Sequence, residues 1–208
     1  AIQHALGRGG VAVLAMSGDV ANAEAVNPTG DSVLGGPRPT VVPPDAQVRA
    51  LADALNAARR VTLFCGAGCR DAHAEVMALA RTLLAPVGHA LGGKEWIQFD
   101  NPYDVGMSGL LGYGACHAAT QQADRLVLLG TDFPYDRFLP QRATAQVDRD
   151  PAALGRRTVV DVAVCGDVGE TIRRLLPRLE PKTDRTFLDR MLREHAATLE
   201  KVVAAYTR

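Results

Sequence analysis

The chain has no net charge: 23 lysines and arginines balance 23 aspartates and glutamates over 208 residues. No basic excess argues for nucleic acid, and no acidic excess argues for disorder. No apolar run approaches a membrane-spanning length. The opening, AIQHALGRGGVAVLAM, lacks a charged start followed by a long apolar core, so a secretory signal is not expected. Cysteines are few. Cys65, Cys69, Cys116 and Cys165 lack the paired spacing of a zinc site. A chain this long needs no disulfides for its core, so all four are expected reduced and mostly buried. What remains is ordinary for a globular protein: 47% hydrophobic and 22% charged residues, enough for one core of fair size.

Strand-like and helix-like patterns alternate, which predicts α/β architecture around a mainly parallel sheet. Residues 11–14 read as a strand that ends at Ser17-Gly18-Asp19. Residues 21–44 are rich in Pro, Gly, Asn and Asp and read as a linker. The compact domain is expected to begin near Asp45, which can cap a helix bearing Val48, Leu51, Leu55 and Ala58. Residues 61–64 form a strand, and Asp71 caps a second helix with Val76, Leu79 and Leu83. Residues 86–90 are a short strand. The glycine-rich stretch 92–114 is a long loop, and long loops in α/β domains are often functional. A short helix near His117 follows. Further strands are expected around Leu126, Ala145 and residues 160–164. Asp167 and Glu170 resemble a capping box for a helix over 168–176. A last helix spans 184–206, with Leu188, Met191, Leu192, His195, Leu199, Val202 and Tyr206 on one face. That stripe either packs on this domain or docks on another, since residues 177–183 read as a linker.

The most telling stretch is the apolar run 126–129, stopped by Gly130 and followed by Thr131, Asp132, Phe133, Pro134 and Tyr135. It reads as a buried parallel strand whose C-terminal end opens into a ligand crevice. The next apolar stretch ends in Asp148, a carboxylate placed to accept hydrogen bonds from ribose hydroxyls. The pattern points to an adenine dinucleotide. Gly66-Ala67-Gly68 follows a strand and precedes a helix, as in a pyrophosphate-binding turn. Asp71 stands where the third glycine of that fingerprint belongs, so a plain strand–helix turn explains the stretch as well. Ser108, Gly109, Leu110 and Leu111 offer backbone amides to a ligand, or are simply a glycine-rich loop. Phe133 and Tyr135 can pack a flat ring or cap the surface. Lys94 can face a phosphate or water. His89 fits a core or crevice position better than catalysis. Cys116-His117 is no nucleophile pair, because adjacent side chains rarely face each other. No residue stands out as a catalytic acid or base or as a metal ligand.

The runs KEWIQFDNPYDVGMSGLLG and LVLLGTDFPYDRF, with RVTLFCGAGC, HALGGKE and VAVCGDV, together resemble the central domain of thiamine-diphosphate-dependent pyruvate oxidases and quinone-linked pyruvate dehydrogenases. The resemblance covers about residues 46–179. It implies a Rossmann-like, six-stranded parallel sheet flanked by helices, holding the ADP part of FAD. It would place Ser108, Gly109, Leu110 and Leu111 along the flavin cofactor. Thr131, Asp132, Phe133, Pro134 and Tyr135 would form a second contact, and Asp148 would take the adenosine ribose. It divides the chain into the tail of a pyrimidine-binding domain with its linker (1–44), an FAD-binding central domain (45–180) and the run-in to a diphosphate-binding domain (181–208). Thiamine diphosphate and Mg²⁺ would be held by flanking domains outside this chain, so the piece alone is expected to be inactive. The parent would be a homotetramer without a transmembrane segment, cytoplasmic or peripheral on the inner face of the cell membrane. Acetolactate synthases share the fold and are the second match. A domain of purely structural role, with no nucleotide, and an NAD-binding module of related architecture are further alternatives. Gly92 departs from the arginine usual in the quinone-linked enzymes.

Overall fold

The computed structural model describes residues 1–24, 39–141 and 143–206. It divides into two units, Ala1–Thr40 and Val41–Arg208. The first holds two short helices, α1 (Ile2–Arg8) and α2 (Gly18–Ala21). The strand expected over residues 11–14 does not form; Val11 and Val13 are largely exposed. Among the described residues of this unit there is no strand for it to pair with, and backbone N–H and C=O groups gain little from extension alone. Most of the linker expected over 21–44 falls outside the described residues.

The second unit is a seven-stranded sheet sandwiched by helices. Its first elements are α3 (Asp45–Ala57), β1 (Val61–Cys65), α4 (His73–Leu83), β2 (Val87–His89) and α5 (Lys94–Ile97). Next come β3 (Asp104–Met107), β4 (Tyr113–Gly114), α6 (Cys116–Gln122), β5 (Arg125–Leu129) and β6 (Thr144–Asp148). The unit closes with β7 (Val162–Cys165), α7 (Val168–Leu175) and α8 (Thr186–Tyr206). The strand order is β4-β3-β2-β1-β5-β6-β7. Six strands run parallel, and the edge strand β4 pairs antiparallel with β3. Of the six strands expected from the sequence, the five after residue 45 are present. β3 and β4 lie in what reads as a loop, because Asp104, Gly106 and Gly112 break the apolar pattern there.

Alternation along the central strands builds two cores. Val61, Leu63 and Cys65 of β1, with Val127 and Leu129 of β5, face the layer of α3, α4 and α7. Phe64, Leu126 and Leu128 face the opposite layer, with α6 and the first half of α8. The side-to-side period of two makes each strand serve both layers. The fully buried pattern of β1 and β6 follows, since both faces are covered.

Three expected helix caps have other partners. α3 begins at Asp45 itself, whose carboxylate pairs with Arg49 and Arg178 instead of a backbone amide. Asp71 adopts a left-handed conformation (φ 61°) ahead of α4, which starts only at His73. Asp167 is the residue before α7, but its Oδ2 accepts the Val41 N–H at 2.7 Å and thereby ties down the start of the unit. Glu170 pairs with Arg173 and Arg174 one turn on, rather than reaching back.

The stripe of α8 splits. Phe187, Leu188 and Met191 enter the core, whereas Leu199 is 37% exposed. His195 lies against two glycines of the hairpin: a methyl group on Gly114 would stand 2.2 Å from its Nδ1. Its Nε2 is 3.7 Å from the Asp104 carboxylate, which is itself 3.9 Å from His89. The first half of the helix therefore belongs to this sheet. Met191→Ala should destabilise the unit by about 2–5 kcal/mol, the cost of an emptied core site. Leu199→Ala should stay within about 0.5 kcal/mol. Denaturant midpoints at constant m-value compare the two; equal effects would refute the docking described here.

Candidate functional site at the C-terminal edge of the sheet

The chain runs outward from β1 to β2 and β3, then returns to the other side of β1 and continues through β5, β6 and β7. The order reverses between β1 and β5. Loops leaving those strands diverge there, and crevices of open α/β sheets form at such points. The turns after β1 and β5 meet through bare backbone. A methyl group on Gly66 would lie 2.4 Å from the Gly130 carbonyl oxygen, and one on Gly130 would lie 2.5 Å from Gly68 Cα. The Gly68 N–H donates to the Gly130 carbonyl at 2.9 Å. These glycines let two turns pack with no side chain between them.

Beside this contact opens a cavity of about 340 Å³. Gly66, Ala67, Leu91, Met107, the Ser108–Leu111 loop and the Gly130–Tyr135 segment line it. Two loops that read separately in the sequence are thus brought together. A methyl group on Gly109 would lie 3.3 Å from both the Phe133 and Tyr135 rings. Phe133 is buried and meets Phe64 edge-on at 5.0 Å and Tyr135 at 5.4 Å. It is a core residue that also floors the cavity. Leu110 and Leu111, each 70% exposed, form the rim. The Ser108 hydroxyl is buried, with the residue 5% exposed, and has no hydrogen-bond partner among the described residues. A buried hydroxyl is costly unless water or a ligand hydrogen-bonds to it.

Gly130 and Asp132 also line a second pocket, of about 260 Å³, around Asp148. Leu91 and Gly92 join the cavity on its other side to an open pocket of about 590 Å³ with Lys94, Gln98 and Phe99. The three form one groove across the strand ends. Asp148 is 9% exposed, and its Oδ1 accepts the Asp150 N–H at 2.9 Å. Burial, reinforced by Asp150 and Asp132, raises its pKa against the opposing pull of that hydrogen bond and of Arg156. Asp132 turns away from the cavity floor. Its carboxylate takes Arg156 at 2.8 Å and Arg157 at 2.9 Å, which lowers its pKa.

The remaining candidates lie elsewhere. Lys94 bonds Gln98 and, at 3.0 Å, the Tyr113 hydroxyl, in the open pocket. His89 is fully buried, its pKa depressed by desolvation, and it does not line the cavity. The Cys116 thiol is buried in the helical layer and its pKa is pushed far above the usual thiol range by desolvation. That is no nucleophile. Sequence reasoning missed Arg149, Arg156 and Arg157; the Arg-Arg doublet shortly after Asp148 was the available signal. No group of His, Cys, Asp and Glu among the described residues is arranged to hold a metal. No helix among them is long and apolar enough to cross a membrane.

Fold and groove define a doubly wound α/β domain with a crevice at its switch point. The chain belongs to the thiamine pyrophosphate enzymes: residues 48–175 match the family's central domain. It is 46% identical over 202 residues (96% of this chain) to an uncharacterized 42.6 kDa protein of Pseudomonas amyloderamosa and spans 51% of that protein. It is 31% identical over 155 residues (71% of this chain) to the acetolactate synthase large subunit of Parasynechococcus marenigrum, spanning 25% of it. The fold is shared with benzoylformate decarboxylase from Polynucleobacter necessarius (TM-score 0.63, 22% identity, covering 78% of this chain and 32% of that one).

A raised carboxylate pKa means that the folded chain binds this proton more tightly than the unfolded one. The associated stability is fully present below the ordinary aspartate value of about 3.9 and is lost as pH rises through the raised value. Asp148→Asn keeps an oxygen for the Asp150 N–H and removes the buried charge. It should raise the melting temperature at neutral pH and leave it unchanged near about pH 3. A variant less stable than the parent at neutral pH would contradict this.

Proposed function

We propose that the crevice binds the ADP part of FAD, and that the chain is the cofactor-holding central domain of a thiamine-diphosphate enzyme of the pyruvate:quinone oxidoreductase type. The observation that carries the reading is the convergence of Asp148, the Gly130–Tyr135 segment and the Ser108 loop on one groove. The groups present fit the ligand. Asp148 supplies an acceptor for a ribose diol. The bare backbone at Gly66, Gly68 and Gly130 permits close approach of a diphosphate. The orphaned Ser108 hydroxyl supplies a polar contact, and the apolar cavity suits a flat ring. FAD would supply the electron acceptance; the residues of this chain bind, orient and shield it. Because the chain spans about half or less of the relatives compared, the substrate, the homotetrameric assembly and a cytoplasmic or membrane-peripheral location are proposed for the whole protein. Thiamine diphosphate and Mg²⁺ would sit on its other domains.

Likeness to an acetolactate synthase favours a second reading, in which the same domain serves a synthase on thiamine diphosphate. Flavin absorbance of the purified protein and calorimetric titration with FAD and ADP test the shared element. ADP should compete with FAD. Asp148→Ala should weaken both by about 1–3 kcal/mol, the cost of leaving polar partners unpaired. Absence of flavin binding, or FAD affinity indifferent to Asp148→Ala, would favour a structural domain without nucleotide. Turnover of pyruvate with a quinone acceptor, rather than acetolactate formation, separates the two enzyme readings.

A further inference from the structure

The pocket around Asp148 is lined by four carboxylates, Asp132, Asp148, Asp150 and Asp167, and two arginines, Arg149 and Arg156. Each arginine already has a counter-charge. Arg156 bonds Asp132 and the Ala152 carbonyl. Arg157, just outside, bonds Asp132 through Nε at 2.9 Å. Arg149 lies 3.6 Å from Asp167. Asp132 thus holds two guanidinium groups at once, while Asp148 and Asp150 remain in excess. Next to Asp148 and Asp150 such a pocket favours hydroxyl donors and repels an anion. A phosphate on the ribose carries close to two negative charges at neutral pH. It would meet these carboxylates and find the nearby cations occupied.

We propose that the Asp148 end of the groove selects an adenosine whose ribose is unphosphorylated, and that Asp132 sets this selectivity by occupying Arg156 and Arg157. The inference rests on the nucleotide reading above and adds the class of nucleotide admitted. It rests on geometry: a carboxylate between two arginines at the mouth of a pocket whose floor is a 9%-exposed acid. The pocket is continuous, through Gly130 and Asp132, with the cavity that holds the orphaned Ser108 hydroxyl.

The test uses two probes that differ by one group, ADP and ADP bearing a 2′-phosphate, titrated calorimetrically. In the parent protein the 2′-phosphate should weaken binding by about tenfold or more, the scale of a like-charge penalty in a partly desolvated site. Asp132→Asn frees both guanidinium groups, and the penalty should shrink to within about threefold. Adding Arg156→Gln and Arg157→Gln to that variant should restore it. The two arginine substitutions alone, in the parent, should leave the penalty in place. Equal affinities of the parent for both probes would overturn the proposal, even if Asp132→Asn failed to fold. So would an undiminished penalty in a folded Asp132→Asn protein that binds ADP. Failure of the parent to bind ADP at all would remove the nucleotide reading and this inference together.

Discussion

The structure depends on a contact with no side chains in it. Gly66 and Gly68 after β1 press against Gly130 after β5, and one N–H···O bond joins the two turns. β1 and β5 are the two central strands, paired along their whole length although some 60 residues separate them. With side chains at the three glycines, the turns would stand apart and the crevice would change shape. Glycine costs conformational entropy on folding. Here it gives an approach between backbones that no other residue allows. The cavity, the Asp148 pocket and the groove that links them are all arranged around this one point.

Electrostatics along the groove follow a simple division. The central cavity has one charged residue among its described lining groups, Asp132, and that carboxylate is held at the rim by arginines. Charge collects at the Asp148 end, and apolar surface at Leu91, Leu110, Leu111 and Phe133. The groove is therefore polar over β6 and apolar over β1 and β2. Gly92, which lines both the cavity and the open pocket, has room for a side chain; a methyl group there would come no closer than 3.5 Å to Ala67. The absence of a long side chain keeps this passage open and uncharged.

The sheet was legible where apolar runs were uninterrupted. VTLFC and LVLL are buried on both faces, so their composition marks them; TAQVD is equally buried but polar at Thr144, Gln146 and Asp148, and only Ala145 and Val147 signal it. β3 was hidden because its DVGM run carries a carboxylate and a left-handed glycine (φ 88°) that suit the hairpin with β4 rather than a generic strand. Residues 11–14 misled in the opposite sense: an apolar run reads as a strand, but a strand needs a neighbour. Two of the three caps failed for a common reason. Asp45 and Asp167 met partners more than 100 residues away, Arg178 and Val41, which no local pattern reveals. At the site, Thr131 and Asp148 were legible from their places at strand ends. The Asp132–Arg156–Arg157 cluster was not, because it is formed by a loop folding back across two strands.

The hairpin strand β4 has a further role. It is two residues long, both half-buried, and runs against the direction of its neighbour at the edge of the sheet. α8 lies along it, with His195 seated over the glycines. An open parallel edge presents unpaired N–H and C=O groups to any other extended chain, and proteins blunt such edges by shortening, reversing or covering them. All three devices meet at this one border. The helix that fills out the core on one side therefore also guards this edge against association with another strand.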